Sequence, residues 1–201
     1  MKIEKKITEN DFIDGFLKAE IKSERFGEKL NKILKKFGTD KEIIINSNLT
    51  NQHENKIRKN ILKEFRGYSK NEAIFENFPE DITWYDVKIT KAELQQIKYI
   101  NWDYWLDISN NTRSPVEAVK KIRIEKINTP EVQRFIRASN SLKGKNKFPP
   151  IIAVAKSFDN YLVVLEGHLR LTAYCLNDKY IPNELNIILG ISQNITKWDL
   201  Y

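Results

Sequence analysis

Cysteine and histidine are nearly missing from this 201-residue chain, which has one cysteine, Cys175, and two histidines, His53 and His168. A single cysteine excludes an internal disulfide framework and fits a reducing compartment, so a cytoplasmic protein is expected. The same scarcity excludes a His/Cys zinc site. There is no Gly-x-x-x-x-Gly-Lys-Ser/Thr loop, and no Cys/His or Ser/His arrangement with a recognisable local signature, so covalent nucleophilic catalysis is not expected. No apolar run approaches the roughly 18 residues that span a bilayer, and no membrane partner is expected. The opening residues lack the apolar core of a secretory signal, and the chain has no internal repeat or low-complexity tail.

What the chain does carry is charge, at 30% of residues with a net +7. Residues 1–66 hold 16 basic and 11 acidic side chains, residues 67–112 hold 4 and 8, and residues 113–201 hold 14 and 8. Within the last part, Arg113 to Lys147 contributes 10 basic and 3 acidic residues, equal to the net charge of the whole protein. Lys120, Arg123, Arg134, Arg137, Lys143, Lys145 and Lys147 are therefore the candidate nucleic-acid contacts, against the simpler reading of a solvated lysine-rich face.

The first third reads as helical. Thr8 or Asn10 can cap a first helix, Leu30, Ile33, Leu34 and Phe37 repeat at helical spacing up to Gly38, and Thr50 or Asn51 can start another helix closed by Gly67. Residues 28–66 thus allow a helix-turn-helix with Lys56, Arg58, Lys59 and Lys63 facing DNA, although any basic helical hairpin has this pattern and a packing helix is the simpler expectation. Ile82 to Ile89 alternates as a strand, with Thr90 capping a helix over 91–100. The aromatics of Tyr99 to Trp105 are expected mostly in the core, with Asp103 the residue among them best placed for a task. Ser114-Pro-Val-Glu117 and Thr129-Pro-Glu131 mark two helix starts. Apolar runs at 151–155, 161–165 and 185–191, with a helix over 169–176, give the order hairpin, helix, strand of an α+β core.

Between the second and third of those runs lies Glu166-Gly-His-Leu-Arg170, three polar specialists and a glycine at a strand-to-helix corner. Unpaired N–H groups and the positive end of the helix dipole suit such a corner to an anion. Gly167 permits close backbone approach, and His168 and Arg170 add donors. Glu166 could act as a base or hold a divalent ion through water. Each also has a structural reading: a dipole-stabilised acid, a capped loop histidine and a salt-bridge arginine.

Val164-Leu-Glu-Gly-His-Leu-Arg-Leu-Thr-Ala173, preceded by Phe148-Pro-Pro-Ile-Ile-Ala-Val154, resembles the "P-I-x-V … D/E-G-H-x-R-x-x-A" signature of the ParB/sulfiredoxin superfamily, over roughly residues 115–192. With the helical reading of 1–66, the resemblance gives an expected organisation of a helical N-terminal region over 1–66 followed by a ParB/sulfiredoxin-like α+β domain over 67–201, its N-terminal extension included. It also implies a nucleotide (ATP, ADP or CTP, with Mg2+) or another phosphorylated small molecule at the corner. Gly167, His168, Arg170 and Thr172 would hold it, with Glu166 and His168 in catalytic roles and Glu166 as metal ligand. Partition proteins of the superfamily have Gly-Glu-Arg-Arg where this chain has Gly167-His168-Leu169-Arg170. Sulfiredoxins place a cysteine before the histidine, which this chain lacks. The kinase-like Asp-Gly-His-His-Arg is nearer, with Glu166 for the aspartate and Leu169 for the second histidine. The implied activity is phosphoryl transfer or nucleotide hydrolysis; the alternatives are a DNA-binding module or ParB-like nuclease, and a regulatory protein that keeps the fold without chemistry.

Overall fold

The computed structural model describes residues 1–144 and 148–201. Among them the fold is α+β, as expected, with nine α-helices and a five-stranded mixed sheet. The chain opens with strand β1 (Lys2–Ile7), then helices α1 (Glu9–Ile21), α2 (Gly27–Lys36), α3 (Glu42–Ile45) and α4 (Gln52–Arg66). Strand β2 (Thr83–Thr90) runs directly into α5 (Lys91–Gln96), and α6 (Asp103–Ile108), α7 (Pro115–Ile124) and α8 (Pro130–Ser141) follow. The last elements are β3 (Ile151–Ala155), β4 (Val163–Glu166), α9 (His168–Leu176) and β5 (Glu184–Ile191).

The helix starts follow from local chemistry. Thr8 and Thr90 form full capping boxes with Asp11 and Glu93, and Asn51, Ser114 and Thr129 each accept a hydrogen bond from an N–H of the first turn. Gly67 ends α4 with φ at +85°, a backbone state that side-chain-bearing residues avoid. The Ile43-Ile-Ile45 run folds as the short α3, burying Ile44.

The strands lie in the order β1-β2-β5-β3-β4, with β3 and β5 parallel and the other pairs antiparallel. Side chains alternate across a strand, and here each face has its own core. Ile152, Val154, Val163, Leu165 and Ile188 pack with Phe12, Phe16, Leu30, Leu62 and Phe65 of the N-terminal helices. Ile151, Ala153, Val164, Ile187 and Leu189 pack with Leu94, Ile122, Phe135, Leu171 and Tyr174 on the other side. The sheet is thus covered on both faces, which is why β3 is buried at every position. Residues 1–66 form one of the two covering layers and also supply β1 to the sheet.

Two expectations need correction. The helix expected over 91–100 stops at Gln96, because Lys98 leaves to pair with Leu162 and Val164 beside β4 and Tyr99 donates to the Arg113 carbonyl. Arg58, expected on a DNA-facing surface, is 1% exposed. It donates to the carbonyls of Ile43 and Asn48 and to the side chains of Glu54 and Asn55, so it ties α4 to the α3 segment. Arginine's five donors suit it to such a cage of oxygens.

Candidate functional site

Gly167 joins β4 to α9 with φ +108° and ψ 20°, and no side chain caps the first turn of the helix. Like α2, α3 and α6, and unlike α5, α7 and α8, α9 leaves its first-turn amides without a side-chain cap. A Cβ at position 167 would sit 2.9 Å from Arg170 Nη2, 3.1 Å from its Nε and 3.2 Å from Ile151 Cγ1. The glycine therefore serves both the left-handed turn and the seating of the arginine.

Arg170 is 7% exposed and forms an ion pair with Glu166 through Nη2, while its buried Nε has no partner. Burial lowers its pKa to about 10, opposed by the nearby Glu20 carboxylate, and it stays a cation at neutral pH. Glu166 retains 15% of its side-chain exposure but is committed to Arg170. His168 stacks on Trp105 with ring centres 4.9 Å apart, and lies nearly parallel to Tyr99 at 6.2 Å. The residue is only half-buried by surface area, yet its Nε2 is sealed from water and has no partner. Desolvation first, then the guanidinium groups of Arg66 and Arg25, push its pKa down to about 3. The imidazole is therefore neutral at physiological pH and can give or take a hydrogen bond but carries no charge.

Thr172 sits behind the corner rather than in it. It is fully buried, its hydroxyl donates to the His168 carbonyl at 2.8 Å, and the Tyr99 hydroxyl lies 2.7 Å away. Its task is to hold α9 and the Tyr99 ring, with no hydrogen-bonding capacity directed at a ligand. Cys175 is buried, and burial lifts its thiol pKa to about 12, consistent with a small apolar packing residue.

Arg66 and Tyr104 stand outside the motif. Arg66, the last residue of α4, pairs with the buried Glu20 of α1, and its Nε is buried without a partner. Its guanidinium lies 3.8 Å from the centre of the Phe26 ring and 4.7 Å from that of Phe65. Tyr104, next to Trp105 in α6, buries a hydroxyl that also lacks a partner. The only sequence signal for these was Arg66 before the helix-ending Gly67 and the aromatic run around Trp105. Asp103, singled out within that run, is exposed at the start of α6.

The basic stretch is largely spent on internal contacts. Lys120 pairs with Glu117 at 2.7 Å, Arg134 with Glu131 at 3.1 Å and Arg137 with Glu24 at 3.1 Å. Arg123 donates to the Leu176 carbonyl at the end of α9, and Arg113 to the carbonyls of Tyr99, Leu200 and Tyr201. Lys143 is exposed; Lys145 and Lys147 lie outside the described residues. Of the HTH candidates, Lys59 is held by Glu9 at 2.9 Å.

The donors do not fit a magnesium ion bound by the protein alone. Among the described residues no group of three or more His, Cys, Asp or Glu is placed to hold a metal, and the Glu166 carboxylate pairs with the Arg170 guanidinium. Magnesium needs several oxygen ligands and usually arrives with phosphates. Two surface cavities, of about 430 and 400 Å³, are lined around Phe78, Asp81 and Lys197 and around Ile3, Phe158 and Tyr161; neither lining includes a residue of the corner. No family model, curated protein or solved structure matches this chain.

Proposed function

We propose that the protein binds a phosphorylated small molecule, in the first instance a nucleotide, at the N-terminus of α9. One observation carries this reading: the two motif side chains in the first turn of α9, His168 and Arg170, each bury a nitrogen, Nε2 and Nε, that lacks a hydrogen-bond partner. Buried polar groups are nearly always satisfied, and leaving one unpaired costs about 1–3 kcal/mol. An anion in front of an uncapped helix is the partner that such donors lack.

Binding takes precedence over turnover in this reading. The neutral His168 is a poor acid, and the carboxylate of Glu166 is engaged with Arg170. Phosphoryl transfer needs one event more: the incoming phosphate takes over the Arg170 guanidinium, and the released Glu166 accepts the proton of an acceptor hydroxyl. Magnesium would arrive with the nucleotide and would supply charge neutralisation for its phosphates.

Isothermal titration with ATP, ADP and CTP, each with magnesium, tests the proposal. Saturable binding of at least one, weakened at least about ten-fold in Arg170→Lys, which removes the fork but keeps the charge, is the expected result. A folded protein that binds none of them refutes it.

A further inference from the structure

The buried Nε2 of His168 has no hydrogen-bond partner, so packing sets the direction of the ring at the start of α9. That packing comes from the segment 99–105, which reaches residue 168 by two routes. The first goes to the ring: the Trp105 indole lies against it, with centres 4.9 Å and planes 22° apart. The second goes to the backbone: the Tyr99 hydroxyl lies 2.7 Å from that of Thr172, which donates to the His168 carbonyl at 2.8 Å. The two routes brace each other, since the Tyr99 and Trp105 rings stack at 4.3 Å. Trp105 is itself held from several sides. Phe135 of α8 stacks on it at 5.9 Å, Tyr104 meets it edge-on at 4.9 Å, and it packs against the apolar clusters on both faces of the sheet. The charged groups near the His168 ring oppose its protonation. Arg66 and Arg25 act on it as like charges, and Glu166 is paired with Arg170. Towards α6 and α8, burial keeps Tyr99 and Tyr104 uncharged by raising their pKa values, and Arg134 is paired with Glu131.

We propose that Trp105 is a positioning residue of the anion site: its indole holds the His168 ring so that a neutral imidazole, rather than an imidazolium, meets the ligand beside the first-turn amides of α9. The inference rests on the phosphate reading of the corner. It adds a residue of α6 that acts on the ligand through His168. A ring held by stacking is aimed before the ligand arrives, so little side-chain freedom is lost on binding. The same stack shields one face of the imidazole from water, which disfavours its charged form. This gives the aromatic run around Trp105 a role besides filling the core.

Inorganic phosphate, titrated into the full chain near neutrality, measures the effect in the native protein, in Trp105→Leu, in His168→Gln and in the double variant. Trp105→Leu is expected to weaken phosphate binding at least about five-fold. With His168 already replaced by glutamine, the same change should matter less than about two-fold, because the indole acts through the imidazole. Trp105→Phe, which can still stack, should stay within about three-fold of the native affinity. An NMR titration of the His168 ring from about pH 8 to about pH 5 adds a readout that a loss of stability alone would not move. The ring should be silent in the native protein and in Trp105→Phe, and should titrate within that range in Trp105→Leu. If Trp105→Leu does not fold, Trp105→Met, with its adaptable unbranched chain, takes its place in each comparison. Titration of His168 in the native protein within that range overturns the inference without any variant. So does native phosphate affinity in the Trp105 variants, or an equal loss with and without His168; these leave the phosphate reading standing. No phosphate binding by the native protein overturns both.

Discussion

His168 decides how the corner responds to acid. In an unfolded chain the imidazole titrates near about 6.5, whereas in the folded protein burial and two nearby arginines hold its pKa at about 3. Between those values the unfolded chain takes up a proton that the folded protein refuses. Stability therefore falls as pH drops below about 6.5, by up to roughly 1.4 kcal/mol per pH unit from this residue. His168→Gln removes the effect. Urea denaturation near neutrality and at about pH 5 should show the native protein losing about 1–2 kcal/mol relative to the variant; parallel pH profiles would contradict the assignment. Gly167→Ala should cost at least about 1–2 kcal/mol, because alanine neither adopts φ +108° readily nor fits 2.9 Å from Arg170 Nη2. At this scale the motif was legible, since Glu166, Gly167, His168 and Arg170 are local in sequence. The commitment of Thr172 to the core was not, because it depends on Tyr99, 73 residues away.

Elements divide in the same way. The helix starts at Thr90, Ser114 and Thr129 could be read directly, and those at Thr8 and Asn51 to within two residues, because a cap is settled within four residues. Strand β1 was not foreseen: Lys2–Ile7 has no alternation of apolar residues, and only Ile7 is buried. It is a strand because β2 offers it a ladder, from Lys2 opposite Lys88 to Ile7 opposite Trp84. Its lysines suit an outer strand, where they discourage pairing with other chains. Arg58 makes the same point for a charged side chain on a helix, since periodicity gives no sign that Asn48 and Ile43 carbonyls close over it. Arg58→Ala strands those carbonyls and the Asn55 side chain, and should cost about 3–5 kcal/mol in chemical denaturation. Lys63→Ala, on the same helix and without a recorded side-chain partner, should stay within about 0.5 kcal/mol.

Over the whole molecule, the helical layer meets the C-terminal core across the sheet, where Val163 and Leu165 of β4 belong to the same packed cluster as Phe12, Phe16 and Phe65. Glu20 and Arg66 are 46 residues apart, and both are remote from α9 in the chain, so no spacing rule joins them. The Arg137–Glu24 pair links α8 to the segment between α1 and α2. This is why the Glu166–Arg170 motif could be read in the sequence and the Glu20–Arg66 pair could not. A nucleotide held at the start of α9 would bind the folded state alone, so on the proposed reading ADP with magnesium at a hundred times its Kd should stabilise the protein by about 2.7 kcal/mol, seen as a rise in Tm.

The central claim is the place of the anion, and a backbone 1H–15N NMR titration with ADP and magnesium tests it most directly. The account expects the largest, saturating shifts at the amides of Gly167, His168, Leu169 and Arg170, joined by the side-chain Nε–H signal of Arg170. Shifts confined to the cavity around Phe78, Asp81 and Lys197, or spread over the Lys120–Lys143 surface with the corner unmoved, would contradict it.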